Sequence, residues 1–129
     1  MEKNYTYSQL QVWQSARDVS KKIFNLTHYF PEEEAQELAE AIRLSAESLP
    51  TQVASEIMEV TQRPFQRSIE LLNMLEGHLV SAFDQGCITE RELKTSLEAT
   101  NIYFQCLTSH QNKAEDSHLV KHLQGKNRF

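Results

Sequence analysis

The sequence predicts an all-α protein, an up-down-up-down four-helix bundle with a polar C-terminal tail. Three observations carry this. Four segments with apolar residues at helical spacing lie between Leu10 and His110. Short punctuation divides them at Phe30–Glu34, Thr61–Pro64 and Gly86–Glu90, and short connections between long helices make sequential neighbours antiparallel. Strand signals are missing, with no sustained period-two run and no Asn-Gly or Asp-Gly turn. At 129 residues with three glycines and three prolines, the chain is long enough for one core and too short for two. Residues 1–110 are expected to form the bundle and 111–129 a polar, flexible tail.

The first segment starts near Tyr7-Ser8 and carries Leu10, Trp13, Ala16, Val19, Ile23, Leu26 and Phe30 at steps of three and four. Val12 and Phe24 fall off that stripe and suggest a second apolar edge. The second segment opens at Pro31, which suits a first helical position, with Glu32 to Glu34 against the positive end of the helix dipole. Its stripe is Leu38, Ile42, Ser45/Ala46, Leu49, Val53, Ile57 and Val60, and it stays in phase across Pro50, so a kinked but continuous helix is expected. Thr61 is the natural cap of the third segment, whose stripe is Phe65, Ile69, Leu72, Leu75/Glu76, Leu79 and Phe83, ending at Gly86 as a C′ glycine. Thr89-Glu90-Arg91-Glu92 is a capping box opening the fourth segment. There Leu93, Leu97, Thr100, Phe104 and Leu107 form the main face, widened by Ala99, Ile102, Tyr103 and Cys106.

The net charge of −5 is unevenly spread. Residues 31–60 hold eight glutamates against Arg43 alone, whereas the first thirty residues and the tail are mildly basic. A whole-domain basic footprint for nucleic acid is absent, and an acidic helix face is most simply a solvated one. Arg43, at helical spacing from Glu40 and Glu47, is expected in a surface salt bridge. Two cysteines, Cys87 and Cys106, are too few for a disulfide framework. The start of the chain lacks an apolar signal region, and no stretch approaches 18 apolar residues, so a cytoplasmic, soluble protein with no membrane partner is expected.

Chemistry is poorly represented. Di-metal carboxylate bundles need Glu-x-x-His on two helices, and the chain has one, Glu115 to His118, followed by His122 in the tail. His28 and His110 sit where the first and fourth segments would end and read as dipole-favoured residues. There is no Gly-x-Ser-x-Gly and no phosphate-cradling glycine loop. No catalytic residue, metal or cofactor is expected.

Ser8-Gln9-Leu10-Gln11-Val12-Trp13-Gln14-Ser15-Ala16 and Leu26-Thr27-His28-Tyr29-Phe30-Pro31-Glu32-Glu33-Glu34 resemble the opening of a bacterial four-helix-bundle family, that of the 23S rRNA intervening-sequence protein. Its members read L-x-V-W-x-x-A, L-T-x-x-F-P-x-x-E and Q-I-R-R-A-A-x-S-I-P-x-N-I-A-E-G. In the third motif Ile42, Arg43, Ala46, Ser48, Pro50 and Ala54 agree. Leu44 replaces the second Arg, Gln52 the Asn, and Ser55-Glu56 the Glu-Gly pair. Phe65 and Arg67 occupy the places of an E-F-x-R-F-L segment, and the likeness spans roughly residues 8–110. The resemblance implies the bundle fold, no catalytic residues and a ring-shaped homo-oligomer of five subunits. It also implies kinship with accessory proteins of retroelement reverse transcriptases, which bind nucleic acid and the polymerase through a basic surface.

Two functions are expected, in this order. The first is a non-enzymatic oligomeric scaffold that recruits a protein partner, with Val12, Trp13, Phe24, Ile102 and Tyr103 at the oligomer or partner interface. The second is a nucleic-acid-binding accessory in which Arg17, Lys21, Lys22, Arg43, Arg63 and Arg67 contact phosphates across the assembled ring.

Overall fold

The computed structural model describes residues 6–31, 33–59 and 64–126, the last sixteen of these as backbone only. The described elements are α1 (Tyr7–Leu26), a 3₁₀ turn (Thr27–Tyr29), α2 (Gln36–Glu56), α3 (Gln66–Asp84) and α4 (Glu90–Lys126). Among the described residues there is no strand, and no helix is long and apolar enough to cross a membrane. Each helix packs on the next and α4 closes against α1, while the diagonal pairs stay apart. This is the four-helix bundle that the punctuation predicts.

Local chemistry sets most boundaries. Thr6 caps α1 through a reciprocal box: its Oγ1 accepts from Gln9 N at 3.1 Å and its N–H donates to Gln9 Oε1 at 2.8 Å. The Thr89 box at α4 forms as expected, with Thr89 N to Glu92 Oε1 at 2.8 Å and Glu92 N to Thr89 Oγ1 at 3.1 Å. Gly86 adopts φ +77° after α3. Its N–H bonds Phe83 O at 3.0 Å and the Cys87 N–H bonds Ala82 O at 2.8 Å, the paired bonds of a Schellman stop.

Two starts differ from expectation. Phe30 precedes a proline and is held extended (ψ 143°). The chain then makes one turn, Ala35 N to Pro31 O at 3.1 Å, before α2 begins at Gln36. The expected cap Thr61 lies outside the described residues. α3 starts later, at Gln66, behind Phe65 in the left-handed region at φ +62°. For a bulky residue this strain costs about 1–2 kcal/mol. α2 is one continuous helix with Pro50 inside it, as the unbroken phase predicts.

Val12, Ala16, Val19 and Ile23 are the buried residues of α1, at steps of four, three and four. Val12 therefore belongs to the core, and Leu10, 46% exposed, does not. The reason is geometric: successive steps of three walk about 60° round a helix per step, so the series 10–13–16 drifts off the buried meridian. On α4 the buried positions are Ser96, Thr100, Tyr103 and Leu107, with Phe104 turned outward. Val12 and Tyr103, both 1% exposed, pack inside this chain and are not interface residues. Cys87 and Cys106 are half-buried free thiols.

The helical backbone of α4 continues past His110 to Lys126.

Gly77 and Gly86 should respond to alanine with opposite signs. Gly86→Ala places a Cβ at φ +77° and should destabilise by about 1 kcal/mol. Gly77 lies within α3 with open space where a Cβ would stand, and Gly77→Ala should stabilise by about 0.5–1 kcal/mol. Urea unfolding of the two variants checks both, and equal shifts would contradict the assignment.

Candidate functional site

The bases that sequence reasoning brings together are dispersed. Arg17 and Lys21 lie one turn apart on the side of α1 that faces α2, with the Arg17 guanidinium 4.8 Å from the centre of the Trp13 ring. Such a cation–π stack at a half-exposed site contributes about 0.5–1 kcal/mol. Lys22 follows Lys21 by ~100° of helix rotation and is exposed on a different side. Arg43 makes no pair with Glu40 or Glu47 among the described contacts. It turns to the end of α1, where Nε donates to Thr27 Oγ1 at 2.7 Å and Nη2 to Thr27 O at 3.4 Å. There it closes a helix C-terminus, a cation at the negative end of a dipole. Its guanidinium carbon lies 5.9 Å from the Phe24 ring, which in turn meets His28 edge-on at 5.7 Å.

Arg67 stands at the far end of the molecule, 64% exposed and 3.6 Å from Glu59. Arg43 is thirteen residues before the end of α2, so about 20 Å of helix separates these two arginines. A pair as exposed as Arg67–Glu59 contributes little. Arg63 lies outside the described residues. What remains together is Arg17, stacked on Trp13, with Lys21 one turn on, in a hollow that Asp18 and Glu47 also line.

That side of the molecule also carries an apolar groove. Leu10, Trp13, Ala54 and Ile57 line a cavity of about 220 Å³ between the start of α1 and the end of α2. Gln9 crosses it at one edge, with Nε2 donating to Ile57 O at 3.3 Å, and Met58 beside it is 49% exposed. Small-molecule pockets run to roughly 300–1,000 Å³, so this one suits a few protein side chains better than a cofactor. Pro50 faces the same side further along, in a shallow hollow shared with Arg17, Lys21, Phe24 and Glu47. Of the expected interface residues, Trp13 and Phe24 are half-buried on this side and Ile102 is 64% exposed on α4.

A second constellation, which the sequence reading passed over, is built on Glu56. It ends α2 and is 4% exposed. Its Oε1 accepts from Ser68 N at 2.7 Å, Ser68 Oγ at 2.6 Å and Gln52 Nε2 at 3.3 Å, and its Oε2 from Arg67 N at 3.1 Å. A carboxylate from one helix thus caps the next, satisfying N–H groups that α3 would leave unpaired and sitting at the positive end of its dipole. The signal was available: Ile42, Ala46, Leu49, Val53 and Glu56 keep a four-three rhythm, and an acid on a core stripe requires a partner.

Tyr103 stands over this cap. Its hydroxyl is buried without a well-formed hydrogen bond. Burial above all raises its pKa far beyond the usual tyrosine value, opposed by the nearby Ser68 hydroxyl and reinforced by the Glu56 charge. The one Ser68 hydroxyl proton goes to Glu56, so Ser68 has none to donate to Tyr103. Beside it, Ser8 Oγ lies 2.6 Å from His110 Nδ1, and the His110 ring is 5.6 Å from Phe65. Among the described residues no three His, Cys, Asp or Glu side chains converge as a metal site. The side chains of Glu115, His118 and His122 lie outside the described residues.

Glu56→Ala should cost about 3 kcal/mol, because it strands buried donors of Arg67, Ser68 and Gln52, and Glu56→Gln should cost less. Tyr103→Phe should change stability by under about 0.5 kcal/mol near neutral pH, since it removes a poorly paired hydroxyl. Folding keeps Tyr103 neutral, so its contribution is full below the unfolded value of about 10 and is lost as pH rises above it. Denaturant titrations at pH 7 and pH 11 should show the parent losing more stability than Tyr103→Phe between the two.

No curated protein matches the chain. Residues 8–109 match a family described as 23S rRNA-intervening sequence protein. That match covers the whole bundle and coincides with the Trp13, Phe30-Pro31 and Pro50 motifs. The chain belongs to the 23S rRNA-intervening sequence protein family.

Proposed function

We propose that the protein is a non-catalytic, self-associating helical scaffold, acting in the cytoplasm, that recruits a protein partner, with the α1/α2 side as its association surface. The observation that carries this reading is the groove between Leu10, Trp13, Ala54 and Ile57, apolar, open and too small for a typical cofactor. Further apolar side chains support it: Met74, Val80 and Phe83 on α3 and Ile102 and Phe104 on α4 are each more than a third exposed. Contacts between unlike surfaces of two copies run head to tail and close into a ring when the rotation permits. A five-membered ring, as the family likeness implies, is one such closure.

A second reading is a nucleic-acid accessory, working with a reverse transcriptase. It is favoured by Arg17, stacked on Trp13, with Lys21 one turn beyond it. Repetition round a ring would multiply these two bases, and phosphate binding grows with each added contact.

Native mass spectrometry of untagged protein, purified at low salt without nuclease, tests both. The scaffold reading expects a clean ring mass that Leu10→Asp reduces to monomer at micromolar concentration; a monomeric parent overturns it. The accessory reading expects bound, nuclease-sensitive material, and a gel shift that Arg17→Glu with Lys21→Glu abolishes. An absent or salt-insensitive shift removes that reading.

A further inference from the structure

α3 ends in an outward apolar ridge. Val80 is 44% and Phe83 37% exposed. With the exposed Asp84 they stand at i, i+3 and i+4 in the last two turns of the helix, on one face. The register with α4 shows what lies beside them. Thr100 Oγ1 donates to Glu76 Oε2 at 2.7 Å. In this antiparallel pair Leu97 and Leu93 therefore precede Thr100 along α4 as Val80 and Phe83 follow Glu76 along α3. Both leucines are half-buried and broaden the ridge. Gly77, three residues before Val80, has open space where a Cβ would stand, so another backbone can come close there.

The groove of Leu10, Trp13, Ala54 and Ile57 is its hollow counterpart. The groove lies where α1 starts and α2 ends, and Glu56 joins that end of α2 to the start of α3. The ridge is at the other end of α3, roughly 20 Å along it, so a chain cannot seat its own ridge in its own groove. Charge selects the pair. The charged group in contact with a groove side chain is the Arg17 guanidinium, stacked on Trp13. The last two turns of α2 hold one acid, Glu56, and its carboxylate is taken up by the start of α3. Further along, Asp18 accepts from Gln14 Nε2 at 2.9 Å, and Glu47 lies two turns before Ala54 in the hollow that Lys21 shares. On the ridge, Asp84 and the C-terminal carbonyls of α3 present negative charge. The whole helices agree: α1 carries Arg17, Lys21 and Lys22 against Asp18, and α3 carries Glu70, Glu76 and Asp84 against Arg67.

We propose that the α3 ridge of one copy, Val80 with Phe83, docks into the α1/α2 groove of a second copy, with Asp84 meeting Arg17. The proposal rests on the self-association reading above and names the surface that fills its groove. Each copy gives one ridge and receives one, a head-to-tail contact.

The test uses full-length protein and the single tryptophan of the chain, which lines the groove. Light scattering, circular dichroism and Trp13 emission are recorded on the parent, on the ridge variant Val80→Lys and on the groove variant Leu10→Asp. The parent should associate with blue-shifted Trp13 emission, and each variant should be a folded monomer with red-shifted emission. An equimolar mixture of the two should form a 1:1 dimer, because one intact ridge meets one intact groove. Arg17→Glu alone and Asp84→Arg alone should each weaken association by about tenfold, since like charges then face each other, and the double variant should recover it. A ridge variant that keeps the parent's mass and emission overturns the docking and leaves self-association standing. A mixture that stays monomeric, or a double charge variant no better than the single ones, overturns it too. A monomeric parent overturns both. Should Val80→Lys lose helix, Val80→Gln takes its place with the same expected and overturning results.

Discussion

The rest of the bundle depends on the buried carboxylate of Glu56. Removing a carboxylate from water is expensive unless its lone pairs are met. Here they are met by two backbone N–H groups at the start of α3, one hydroxyl and one side-chain amide. Apolar packing between α2 and α3 is non-directional and leaves their axial offset free. The cap fixes it, because Glu56 reaches Ser68 only when the end of α2 meets the start of α3. The left-handed Phe65 becomes tolerable in that setting, since its side chain is buried at 2% exposure against the ring of His110.

From that cap, contact passes to the remaining helices. Tyr103 of α4 lies over Ser68, and His110, two turns on, reaches Ser8 of α1. The opposite end has its own polar fastening, in which Arg43 of α2 closes the end of α1 through Thr27. One charge of each sign, at opposite ends of α2, thus neutralises one helix terminus of a neighbour. Between them the core is aliphatic, with Ile23, Ile42, Leu49, Val53, Leu72, Leu75 and Leu79 almost wholly buried.

These commitments bear on function. Arg43 is the lone base among the glutamates of residues 31–60, yet it is spent on the fold. The side between α1 and α2 keeps what the fold does not consume: Arg17 stacked on Trp13, Lys21, and an apolar groove. Binding energy on such a protein resides in side chains that the core has no use for.

Architecture was legible in the sequence because its determinants are local. Capping boxes, a C′ glycine and helical apolar spacing each act within a few residues, so Thr89, Glu92, Gly86 and the continuity of α2 through Pro50 could be read directly. Family membership was legible for the same reason, being carried by short motifs around Trp13, Phe30-Pro31 and Pro50. Which residues face inward was decided by tertiary packing. A stripe read at steps of three drifts round the helix, and that drift exchanged Leu10 for Val12 and hid Tyr103. The partners of Glu56 on α3 and of Arg43 at the end of α1 lie eleven or more residues away; the core stripe marks Glu56 as an acid in need of a partner, and nothing local names that partner. Only the meeting of helix ends supplied it.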